Sequence, residues 1–106
     1  MENAYHKLSF RKARELLDTE PASCFFDVRE EDEFVTGHAD EAVLFPLGTI
    51  DEASAAEAIP ELDTPVLVYC RSGARSFQAA MRLIGYGYTR VYDLGGLNGW
   101  PYGISW

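Results

Sequence analysis

An α/β fold, a central parallel sheet with helices packed on both faces, is the class this sequence predicts, and two observations carry it. The runs "SCFFDV" and "PVLVYC" are apolar on consecutive residues rather than on alternate ones, the pattern of strands covered on both faces. Between such runs lie segments whose apolar residues recur at helical spacing. Strand and helix alternate along the chain, and only a parallel sheet with helices on both sides keeps both strand faces dry.

The elements follow in order. "YHKLS" is expected as a first short strand, and "FRKARELLD" as a helix with Ala13, Leu16 and Leu17 on one face and Ser9 as its N-cap. Ser23 to Val28 forms the second strand. "EEDEFVTG" reads as a short helix closed by Gly37, its acidic Glu30 to Glu33 suiting the helix dipole as a solvated first turn. "AVLFPL" from Ala42 is a third strand, and "DEASAAEAIPEL" a helix until Pro60 interrupts it. "PVLVYC" is the fourth strand. Phe77, Ala80, Met81 and Ile84 fall at i, i+3, i+4 and i+7, predicting a helix from about Ser76 to Tyr86 with Gly87 as its C-cap. "RVYDL" gives a fifth strand and "GGLNGW" a tight glycine turn.

At 106 residues the chain suits one domain, 1–106. A formal net charge of -8 argues against nucleic acid or an anionic membrane as partner, since both select clustered Lys and Arg. Neither an apolar leader nor a run long enough to span a bilayer is visible, so a cytoplasmic location and no membrane partner are expected. Two cysteines without CxxC or His-rich spacing predict neither a disulfide framework nor a metal site.

The chemistry concentrates in "VYCRSGARS". In parallel sheets ligands bind at the carboxyl ends of strands, and Cys70 stands at such an end, before a helix N-terminus that favours negative charge. Arg71 and Arg75 add cations, a setting that lowers a thiol pKa from about 8.5 into the range of roughly 3.5 to 7.5. Gly73 lets successive amides turn inward as a nest for an anion. The competing reading is ordinary core packing of a small apolar thiol; the two arginines favour a nucleophile. Asp27 and Arg29 end the second strand on the same edge, expected as a structural ion pair or cap that braces the site. Cys24 starts its strand, about 10 Å from Cys70 along the sheet, too far for a disulfide and suited to packing. His6 is expected at the surface, and Trp100 with the aromatic tail in packing.

Three separated motifs then resemble the rhodanese (sulfurtransferase) family in its small single-domain form. "DVREEDEFVTGHADEAVLFPL" is similar to its DVR and GH signature, "CRSGARS" to its active-site loop, and "GGLNGW" to its C-terminal GG and Trp motif. The resemblance implies a five-stranded parallel sheet flanked by helices and a loop cysteine that carries a persulfide between donor and acceptor. It also implies structural roles for Asp27, Arg29 and His38.

Carried onto this sequence, Cys70 is the nucleophile, and Arg71, Ser72, Gly73, Ala74 and Arg75 bind a small anionic sulfur donor such as thiosulfate or a persulfide. The acceptor is cyanide in an assay or a thiol, with no cofactor. Only four residues separate Cys70 from Arg75, whereas related phosphatases have five; the shorter loop favours sulfur over phosphate as the electrophile. "GHADEAV" departs from the family by having Ala-Asp-Glu where Ile-Pro-Gly is typical, so the entry to the third strand is expected to differ. Ala74 stands at a loop position that tunes donor and acceptor choice. The alternatives are a binding module that docks a partner without turnover, against which the intact Cys70 speaks, and a small phosphatase or arsenate reductase.

Overall fold

The computed structural model describes residues 3–106; Met1 and Glu2 of the expected single domain lie outside the described residues. Five strands, β1 (Tyr5–Lys7), β2 (Cys24–Asp27), β4 (Val43–Leu44), β5 (Val66–Cys70) and β6 (Val91–Gly96), form one parallel sheet in the order β1-β6-β5-β2-β4. These are the five expected strands, and every neighbouring pair is parallel. Helices α1 (Phe10–Thr19), α2 (Glu31–Phe34), α3 (Glu52–Ala58) and α4 (Ala74–Gly85), with a 3-10 turn at Leu47–Thr49, connect them.

Period-two alternation along the central strands divides the core into two layers. Val66, Val68 and Cys70 of β5 join Phe26, Val28, Ala79, Ala80 and Leu83 on the α3 and α4 side. Leu67 and Tyr69 point the other way, into a layer with Ala13, Phe25, Leu94 and Trp100 against α1. Ser9 caps α1, its hydroxyl accepting from the Lys12 amide at 3.2 Å. Leu16 and Leu17 pack against the second layer as expected.

Several expectations need correction. The helix after Cys70 begins at Ala74, two residues early, and its buried positions are Ser76, Ala79, Ala80 and Leu83. Phe77 and Met81 are instead 48% and 39% exposed. The stripe is displaced by one residue, with Ser76, a donor to Cys70, in place of Phe77 at its start. Only Val43 and Leu44 of "AVLFPL" pair as strand, at the sheet edge, whereas α3 stops at Ala58 with Ile59 as its C-cap, before Pro60 as expected. The fifth strand runs on through Gly95 and Gly96, which the sequence reading assigned to a turn.

A second, antiparallel sheet was not expected. β3 (His38–Ala39) pairs with β7 (Ile104–Ser105), binding the aromatic tail to the segment after α2. The departure at Ala39, Asp40 and Glu41 keeps a tight turn, with the Ala42 amide donating to the Ala39 carbonyl at 3.0 Å. Glu41 adopts φ 73°, the left-handed conformation that favours glycine, and its carboxylate accepts from Arg14 at 2.6 Å.

Candidate active site

Cys70 is the last residue of β5 and is almost fully enclosed, at 1% exposure. Its Sγ accepts a hydrogen bond from the Gly73 amide at 2.9 Å. Gly73 can turn that amide inward because its φ is 105°, and it stands as the N-cap residue of α4. Burial alone pushes the thiol pKa up. Donation from the Ser76 amide and hydroxyl, then from the Gly73 and Ser72 amides, outweighs it, and the net shift is downward. The Ser76 hydroxyl also lies 3.1 Å from the Gly73 carbonyl, within donating reach of either acceptor. Cys24 contrasts with this: burial raises its pKa.

The neighbouring strand shapes the loop. Between Val68 and Tyr69 the β5–β6 register shifts, so that Cys70 stands opposite Gly96. A Cβ added to Gly96 would lie 2.5 Å from the Arg71 carbonyl oxygen. The backbone of the loop thus passes where only glycine leaves room. Gly95, at φ 75°, donates its amide to Asp93 at 2.9 Å, and buried Asp93 also accepts from the Tyr5 hydroxyl at 2.7 Å. The Leu97 amide then donates to the Cys70 carbonyl at 3.1 Å.

The two arginines of the loop have different surroundings. Arg71 follows Cys70 with opposite parity and lines a cleft of about 510 Å³ with Arg29, Leu97, Trp100 and Ile104; Cys70 is not among its walls. Arg75 stands in the first turn of α4, and the groups that chiefly lower the Cys70 pKa are Ser76 and the loop amides rather than either arginine expected to do so. Arg75 is not free: its Nη1 and Nη2 donate to the two carboxylate oxygens of Glu33 at 2.7 and 2.9 Å. That fork holds the Glu33 pKa down from 4.5 to about 2. Glu33 also receives the Glu30 amide at 3.1 Å, completing the cap of α2. Of the acidic run expected as a solvated turn, Glu30, Glu31 and Asp32 are exposed as expected, and Glu33 alone is bound to Arg75. Ser72 and Ala74 are exposed at the mouth of the loop.

Asp27 and Arg29 form the buried pair expected of them. Arg29 donates from Nε and Nη2 to Asp27 at 3.0 and 2.6 Å, and from Nη2 to the Gly37 carbonyl at 2.7 Å. The Tyr69 hydroxyl donates to Asp27 at 2.6 Å while accepting the Ala39 amide at 3.1 Å. Burial, followed by this contact with Asp27, raises the Tyr69 pKa. The network ties β2, β5 and β3 together beneath the site. His38 stacks on Phe34 at 3.6 Å, with its Nδ1 3.0 Å from the Phe34 carbonyl oxygen. His6 is exposed and stacks on Tyr92, and Trp100 is buried against Phe10, Phe25 and Tyr102. Among the described residues no group of three His, Cys, Asp or Glu side chains is arranged to hold a metal, and no helix is long and apolar enough to cross a membrane.

Ser76 and Glu33 were not singled out from the sequence as site residues. A signal existed for Ser76, six residues after Cys70, where the first helical turn faces back toward the strand end; none in the sequence marked Glu33 as the partner of Arg75.

A buried cysteine at a parallel strand end, held by a backbone amide and with its pKa lowered by the donors around it, defines an α/β domain with a candidate nucleophile. Comparison with known proteins agrees, as the model of the Rhodanese-like domain matches residues 9–101. The chain belongs to the rhodanese-like domain family. It is 38% identical over 89 residues to a protein of Allochromatium vinosum named Sulfurtransferase, covering 83% of this chain and 79% of that one. It is 35% identical to Thiosulfate sulfurtransferase 18 of Arabidopsis thaliana, covering 68% of this chain and 61% of the relative's length. A solved structure described as a rhodanese with anions from E. coli superposes with a TM-score of 0.73 at 32% identity, covering 79% of this chain and 98% of that one.

Proposed function

We propose that the protein is a sulfurtransferase that moves sulfane sulfur through a persulfide on Cys70. The observation that carries this reading is the Cys70 Sγ, held 2.9 Å from the Gly73 amide and acidified by the surrounding donors. The family and the sulfurtransferase names of the relatives support it.

In the first half-reaction the Cys70 thiolate attacks the outer sulfur of thiosulfate, and the S–S bond of the donor breaks. Sulfite leaves with the bonding electron pair, and Cys70 carries an outer sulfur with one negative charge. The amides of the Arg71–Arg75 loop receive that charge in a preformed nest. In the second half-reaction a thiophilic acceptor attacks the outer sulfur and regenerates the thiolate; cyanide leaves as thiocyanate, and a thiol leaves as a persulfide. Ser72, Gly73 and Ala74 border the entering donor, and Asp27 with Arg29 braces the loop from below. Proton transfer is needed at no step with thiosulfate and cyanide.

A phosphatase needs an arginine free to clamp a dianionic phosphate, and the bidentate contact of Arg75 with Glu33 works against that reading. Thiocyanate formation from thiosulfate and cyanide is the test. Turnover by the native protein, reduced to background in Cys70→Ser, is the expected result; thiocyanate formed equally well by Cys70→Ser would refute the reading.

A further inference from the structure

We propose that Glu33 sets the charge of the sulfur donor: by holding Arg75 in a bidentate pair beside Cys70, it favours monoanionic sulfane-sulfur donors, such as organic persulfides and thiosulfonates, over dianionic thiosulfate. This inference rests on the sulfurtransferase reading and adds a selectivity to it. Two cations occur in the loop, and they do not act alike. Arg71 lines a cleft with Leu97 and Trp100, which pack in the layer opposite the one that holds Cys70. Arg75 stands in the first turn of α4, two residues after the Gly73 amide that holds the Cys70 Sγ, and donates both terminal nitrogens to one carboxylate.

The charges around that pair point the same way. Arg29, another cation at the carboxyl end of the sheet, is already committed to Asp27, to which it donates at 2.6 Å. A donor reaching the thiolate therefore meets an ion pair of zero net charge rather than a free guanidinium. Amides still receive the single charge of a sulfane sulfur, because a nest needs no net cation. The second charge of thiosulfate lacks a partner and is repelled by Glu33. Glu33 touches no reacting atom; it is a positioning residue acting through Arg75.

Thiosulfate and methanethiosulfonate make a matched pair of probes. Attack by Cys70 on either outer sulfur gives the same persulfide; sulfite leaves from the first with two negative charges and methanesulfinate from the second with one. The experiment compares kcat/KM for the two donors, with cyanide as acceptor at fixed low salt, in the native protein and in Glu33→Gln. Glutamine keeps the shape and can still accept the Glu30 amide. Releasing one cation beside the donor is expected to raise the thiosulfate to methanethiosulfonate ratio about tenfold, through KM rather than kcat, with the gain shrinking as salt screens it. The gain is also expected to disappear in Glu33→Gln combined with Arg75→Gln.

An unchanged ratio in Glu33→Gln, or a gain that survives the loss of Arg75, overturns the inference. The native protein supplies a test independent of any variant: sulfate should inhibit no more tightly than methanesulfonate, and sulfate binding tenfold tighter would overturn the proposal. Absence of sulfur transfer from both donors would instead overturn the sulfurtransferase reading on which it rests.

Discussion

The chemistry at the residue scale depends on which groups are satisfied and which are left reactive. Asp27 is fully buried and accepts from the Arg29 amide, the Arg29 guanidinium and the Tyr69 hydroxyl. Removing its charge while leaving Arg29 buried exposes the full cost of an uncompensated ion. Asp27→Asn should therefore lose about 3–5 kcal/mol of stability, measured by denaturant unfolding; a loss below about 1 kcal/mol would mean that the pair is braced by something other than charge. Cys70 is the opposite case, since its neighbours leave the sulfur held but unconsumed. Its position and the cation-rich loop were legible because strand, cysteine, glycine and arginines are contiguous. Glu33 was not, because it comes from a helix forty-odd residues earlier, and no local pattern tells which carboxylate a surface arginine will find.

For the elements, periodicity revealed what is long and missed what is short. Five strands and the major helices were legible from apolar runs and helical spacing. β3 and β7 have two residues each, too few for any period, and their pairing joins segments far apart in the chain. The helix α4 was placed correctly but turned slightly: two overlapping apolar stripes run through "SFQAAMRLIG", and the core selected the one containing Ser76 and Leu83. Glu41 occupies a left-handed turn position that glycine would take without strain. The two glycines of "GGLNGW" belong to the strand beside the loop because the loop's backbone crosses there. Gly96→Ala should force the Arg71 carbonyl aside, costing about 1–3 kcal/mol in thermal stability and about a hundredfold in kcat/KM. Full activity in that variant would show that the close approach of β6 does not position the loop.

On the scale of the whole molecule, the parallel sheet delivers Cys70, Asp27 and the N-terminus of α4 to one edge. The same topology separates the two cysteines, since Cys24 pairs with Val66, four residues before Cys70 on β5. At about 3.3 Å per residue that offset is about 13 Å, beyond disulfide reach. The acid composition is global, whereas the loop turns the Gly73 amide onto Cys70 locally, and charge counting alone shows only the first. Intact mass spectrometry of the native protein after thiosulfate treatment tests the central claim most directly. The predicted result is one added sulfur atom, carried by Cys70, removed by cyanide and absent in Cys70→Ser; a protein that gains no sulfur from thiosulfate or from an organic persulfide, or one that gains it on Cys24, would contradict it.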